Sequence, residues 1–93
     1  SDAHPLVATG LHNLSGLLKS WGRCDEARTA MEQALKIRRE KLGEDHHETI
    51  TSLYGLAVIL DALGKTEEAE ARFTEVIAVV DRTFPPDHWP IGI

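Results

Sequence analysis

His4, His46 and His88 recur at a constant spacing of 42 residues, and sliding the chain by that step aligns residues 3–44 with 45–86. Thr9 then meets Thr51, Leu11 meets Leu53, Leu14 meets Leu56, Leu18 meets Leu60 and Gly22 meets Gly64. Glu26-Ala27 meets Glu68-Ala69, with conservative pairs between them: Leu17/Ile59, Met31/Phe73, Leu35/Ile77 and Ile37/Val79. A repeat of this length means stacked supersecondary units, none of which buries its apolar surface alone. No other feature of the chain narrows its fold as far.

Each copy reads as two helices. Val7, Leu11, Leu14, Leu18 and Trp21 recur at spacings of three and four, which marks an apolar stripe along the first. Gly22 suits the left-handed residue that ends a helix. A second helix is expected over 24–42, with Ala27, Met31, Ala34, Leu35 and Ile37 facing inward, and Gly43 ends it. The second copy repeats the plan over 46–63 and from 66 to about 83. Its opening "DHHE" predicts Asp45 as N-cap with Glu48 in a variant capping box. Ser15, Ala57, Ala27 and Ala69 are small where paired helices must approach closely. The expected fold class is all-α: an α-α superhelix of two helix–turn–helix repeats plus the start of a third. We expect a single domain over 1–93, with repeat one at 3–44, repeat two at 45–86 and a truncated third repeat at 87–93. In that last piece Asp87 would cap a helix, and Trp89, Ile91 and Ile93 would supply apolar cover, which suggests an excerpt of a longer array.

Composition excludes several classes of function. Net charge is −5, and the single basic cluster, "KIRREK" at 36–41, sits where a helix C-terminus favours cations. We read it as a solvated helix end, since nucleic acid needs a broad cationic face. No apolar run approaches the roughly 18 residues of a membrane span. The N-terminus lacks the basic and apolar regions of a signal peptide, and Cys24 stands alone. A lone cysteine forms no internal disulfide and suits a reducing compartment, so a cytoplasmic location is expected.

Chemistry has little foothold. His4, His46 and His88 hold equivalent positions in successive repeats, on the order of 10 Å apart in packed helices. Metal-bound nitrogens lie about 2 Å from their ion, so these histidines cannot share one, and capping is the expected role. Cys24 reads as an inert packing residue at a helix start. No phosphate-binding glycine loop and no nucleophile elbow occur. The acidic "TEEAEARFTE" reads as a solvated helix face. No catalytic residue, cofactor or metal is expected, and the chain does not read as an enzyme.

The segment "LHNLSGLLKSWGRCDEARTAMEQALKI" resembles a tetratricopeptide repeat: a large apolar residue, Leu, a small residue, a second large apolar residue, Gly, then Ala and another bulky apolar. "LYGLAVILDALGKTEEAEARFTEVIAV" matches the same pattern. The 42-residue length and the "HP" or "DH" openings resemble the long subclass of kinesin light chains, and similar arrays occur in bacterial signalling proteins. The copies depart from the pattern in places. Pro5 is replaced by His47, an expected aspartate is Ala3, and Asn13, facing the inner groove in the family, becomes Gly55.

The resemblance implies a concave face lined by the first helix of each pair. It puts Thr9, His12, Asn13, Gly16 and Lys19 there, followed by Thr51, Tyr54, Gly55, Val58 and Asp61. These residues sit off the leucine stripe, where amide, imidazole and hydroxyl groups can bond an extended peptide. The expected function is a protein–protein interaction scaffold for a protein or peptide ligand. The alternative is self-association, a homo-oligomer formed through the repeat end faces. Neither nucleic acid nor membrane is an expected partner.

Overall fold

The computed structural model describes residues 4–83. The expected third repeat and its Asp87 cap lie outside them. Four helices follow in order: α1 (Pro5–Ser20), α2 (Cys24–Leu42), α3 (His47–Ala62) and α4 (Thr66–Thr83). α1 packs on α2, α2 on α3 and α3 on α4, so two helical hairpins stack through α2 and α3. None of the helices is long and apolar enough to cross a membrane.

Both hairpin turns are built alike. Gly22 and Gly64 adopt φ of 78° and 80°, a region a side chain would strain. The amide of Arg23 donates to Leu18 O and that of Gly22 to Lys19 O; 42 residues on, Lys65 donates to Leu60 O and Gly64 to Asp61 O. Each pair is a Schellman closure that satisfies the last carbonyls of its helix. Close approach of the hairpin partners rests on Ser15, Ala27, Ala57 and Ala69, all buried, and Ser15 Oγ also donates to Ala27 O at 3.0 Å.

The helix starts correct one expectation. Asp45 is not the N-cap of α3. His46 holds that position in extended backbone, and its Nδ1 accepts from Glu48 N at 3.1 Å. His4 does the same for Leu6 N at 3.0 Å, so the periodic histidine caps the first helix of both described repeats. An acceptor on the imidazole reaches the second helical amide as a carboxylate would. Asp45 instead accepts from Arg82 of α4 at 2.7 Å.

The core corrects a second. Leu18 and the α2 positions Ala27, Met31, Ala34, Leu35 and Ile37 are buried as expected. Val7, Leu14 and Trp21 of the α1 stripe are exposed, and the buried ridge of α1 is Ala8, Ser15 and Leu18. The cause is position in the stack. α3 is covered on two sides, with Thr49, Ser52, Leu53, Leu56, Ala57, Ile59 and Leu60 buried, whereas no described helix covers the outer side of α1.

Candidate interaction face on α1 and α3

The candidate residues fall on two neighbouring helices at helical spacing. Thr9, His12, Asn13, Gly16 and Lys19 belong to α1; Thr51, Tyr54, Gly55, Val58 and Asp61 belong to α3. They are not equally available. Asn13, Gly16, Lys19, Tyr54 and Asp61 are exposed, whereas Thr9, His12, Gly55 and Val58 are half-buried. Thr51 is exposed, but its hydroxyl donates to His47 O of its own helix at 2.9 Å. Tyr54 leans edge-on against Phe73 of α4, with ring centroids 5.8 Å apart, which fixes its ring while leaving one side in solvent.

The floor beneath these residues is held by Arg38. The sequence suggested a solvated basic end for α2, and for Arg38 the structure overturns this: it is 5% exposed. Its Nη1 donates to Ser52 Oγ at 2.7 Å and to Glu48 O at 3.1 Å, and its Nη2 lies 3.4 Å from Thr9 Oγ1. The Glu48 carboxylate stands 3.6 Å away. One guanidinium from α2 thus joins α1 to α3 where the two repeats meet. The neighbouring Arg39 bridges Glu44 and Glu75, each at 3.2 Å, and so ties α2 to α4. The signal for Arg38 lay in the repeat, where its counterpart 42 residues on is Val80, an apolar and half-buried residue.

His12 completes the node. Its Nδ1 lies 3.3 Å from Arg38 Nη1 and 3.4 Å from Ser52 Oγ. Ser52 Oγ accepts from Arg38 Nη1, which leaves its hydroxyl proton for Nδ1, and the tautomer that suits the adjacent guanidinium carries the ring proton on Nε2. Burial, and after it the Arg38 charge, hold the imidazole below its ordinary pKa of 6.5. The unfolded chain then takes up a proton where the folded chain does not, so acid destabilises the fold. This contribution is intact above pH 6.5 and is lost as the pH falls through 6.5 towards the lowered folded value. The urea midpoint should therefore drop more between about pH 7.5 and 5.5 in the wild type than in His12→Gln. Equal drops would remove His12 from the node.

Gly55 has its own reason. A Cβ there would lie 2.6 Å from Met31 Cε and 3.8 Å from His12 Cε1. Met31 of α2 thus fills the space that an asparagine, as at Asn13, would need, and the two repeats present different chemistry at equivalent positions.

The remaining candidates do not form a site. Cys24 is half-buried at the first residue of α2, less enclosed than the sequence suggested. Among the described residues no group of three or more His, Cys, Asp or Glu could hold a metal ion. A cavity of about 430 Å³ lies between α2, Leu56 and Arg72, away from the α1–α3 residues. Of the cations that line it, Arg39 and Arg72 already pair with Glu75.

A family model described as tetratricopeptide repeat matches residues 6–82. Among solved structures, the chain is similar to kinesin light chain nearly identical TPR-like repeats from Podosopora anserina, with a TM-score of 0.76 and 26% sequence identity. That match covers 89% of this chain and 39% of the other, so this chain spans well under half its length. No curated protein matches the chain in sequence.

Proposed function

Since the chain belongs to the tetratricopeptide repeat family, whose repeats generally mediate protein–protein interaction, we propose that it is a scaffold that binds a peptide or partner domain on its α1–α3 face and performs no chemistry of its own. The observation that carries this is the contrast between floor and rim. Thr9, His12, Arg38 and Ser52 bond to one another beneath the face, while Asn13, Lys19, Tyr54 and Asp61 stand exposed above it. A floor that is already hydrogen-bonded keeps the rim groups in fixed relation, which lowers the cost of ordering a ligand against them.

The rim suits an extended peptide. Asn13 offers a donor and an acceptor to a peptide backbone, and the exposed side of Tyr54 with Val58 offers apolar contact. Lys19 and Asp61 stand at the ends of α1 and α3 with opposite charges, which favours one peptide direction. We read 1–93 as two repeats followed by the start of a third, working in the cytoplasm, where the lone Cys24 stays reduced.

A peptide-library selection against the folded chain provides the ligand, and Asn13→Ala with Tyr54→Ala provides the test. The double variant should lose at least about tenfold in affinity, on the order of 1.4 kcal/mol, with helicity unchanged by circular dichroism. Undiminished affinity with helicity intact would rule out this face as the binding surface.

A further inference from the structure

We propose that this chain associates head to tail with a second copy of itself, the outer face of α4 in one copy covering the outer face of α1 in the next. The inference goes beyond the ligand-binding reading of the α1–α3 face and uses different surfaces.

The internal repeat supplies the template. Within the chain, α2 packs on the sector of α3 that holds Thr49, Ser52, Leu56 and Ile59. Thr49 and Ile59 are each 2% exposed there and Leu56 is 5% exposed. Forty-two residues earlier the same sector of α1 holds Val7, Gly10, Leu14 and Leu17, and its apolar members are 49%, 43% and 52% exposed. The covering helix shows the reverse. Leu35 of α2 is 5% exposed, while its counterpart Ile77 on α4 is 60% exposed. Among the described residues, each end of the stack therefore presents half of an interface whose complete form exists in the middle.

The chemistry of the two halves identifies the occupant. The internal interface carries a polar node: Arg38 on α2 against Glu48 and Ser52 on α3. On the outer faces all three positions are apolar or bare at once. Val80 stands for Arg38 on α4, and Leu6 and Gly10 stand for Glu48 and Ser52 on α1. A repeat bearing arginine at that point would bury a guanidinium over Leu6 and Gly10 with no side-chain acceptor, in place of the Ser52 hydroxyl and the Glu48 carboxylate, which is costly. The α4 face of this same chain, with Val80, meets Leu6 and Gly10 without that penalty. Pairing unlike faces is heterologous association, which does not close on itself at two copies and grows with concentration.

Sedimentation of the 93-residue chain over a concentration series is expected to show the mass rising beyond a dimer. Leu17→Glu spoils only the α1 face and Ile77→Glu only the α4 face. Both positions are exposed, so each variant should keep its helicity by circular dichroism. Each variant alone should be monomeric, and an equimolar mixture should form a one-to-one dimer through the two intact faces. A wild-type chain that stays monomeric, or a mixture that does, would overturn the proposal. Dimerisation of Ile77→Glu alone would mean α1 pairs with α1, and that of Leu17→Glu alone would mean α4 pairs with α4; either result overturns the head-to-tail arrangement.

Discussion

Replacing Arg38 with alanine is expected to destabilise the chain by about 3 kcal/mol, because one substitution empties the point where α1, α2 and α3 are joined. The guanidinium donates to Ser52 Oγ and Glu48 O, approaches Thr9 Oγ1 and His12 Nδ1, and faces the Glu48 carboxylate. Alanine leaves those acceptors in a cavity in a region that is otherwise closely packed. In a chain of this size a loss of about 3 kcal/mol lowers the melting temperature by roughly 15 °C. Arg38→Met keeps an apolar stem, as Val80 does in the second repeat, and should cost less. Adding Ser52→Ala to Arg38→Met should recover part of the loss, since it removes the acceptor the guanidinium had satisfied. Thermal melts of the three variants decide the matter. A shift of only a few degrees for Arg38→Ala would mean that the node does not hold the repeats together.

Ile59→Ala should lower the unfolding free energy by about 3 kcal/mol, while Leu17→Ala, its equivalent in the first repeat, should change that of the monomer by about 0.5 kcal/mol or less. The two residues occupy the same place in the repeat and differ by one methyl position. They differ in cover: Ile59 is among the largest fully buried side chains, and Leu17 is exposed on the outer side of α1. Deleting the Ile59 side chain leaves a cavity that the flanking helices cannot collapse into, whereas deleting that of Leu17 removes little buried area. Urea unfolding at low concentration, where association does not contribute, measures both. Similar losses from the two substitutions would show that α1 is covered in solution as α3 is.

Why those residues differ also explains what the sequence could and could not reveal. The 42-residue step and the glycines Gly22 and Gly64 announced two helical hairpins, because a helix end needs a left-handed residue and apolar periodicity needs a partner. The limits of α2 and α4 followed from the same signals. The α1 stripe did not tell which of its residues are covered. Val7, Leu14 and Trp21 carry the same periodicity as their buried counterparts, and only the order of stacking separates them. Arg38 was hidden for a different reason. In a basic run at a helix C-terminus a buried cation looks like its solvated neighbours, and its acceptors lie on other helices, at Thr9, Glu48 and Ser52. Asp45 was misread because aspartate usually wins the N-cap, while here the adjacent His46 reaches the amide and Asp45 turns to Arg82 across the stack.

For the candidate face, the helices and spacing were legible from the repeat, but the division of labour was not. Thr9 and His12 looked equivalent to Asn13 as ligand groups, yet the structure directs them towards Arg38 and Ser52, leaving Asn13 exposed. Gly55 looked like a gap in the pattern and is instead the allowance for Met31. Such distinctions depend on contacts between residues 24 to 40 positions apart, which local pattern does not encode.

The most direct test of the binding account is amide chemical-shift mapping of the isotope-labelled chain, titrated with a peptide selected against it. The expected perturbations cluster on α1 and α3 around Asn13, Gly16, Lys19, Tyr54, Val58 and Asp61, with smaller effects at the supporting Thr9 and His12. Perturbations confined to α2 and α4, with these α1 and α3 amides unmoved, would contradict it.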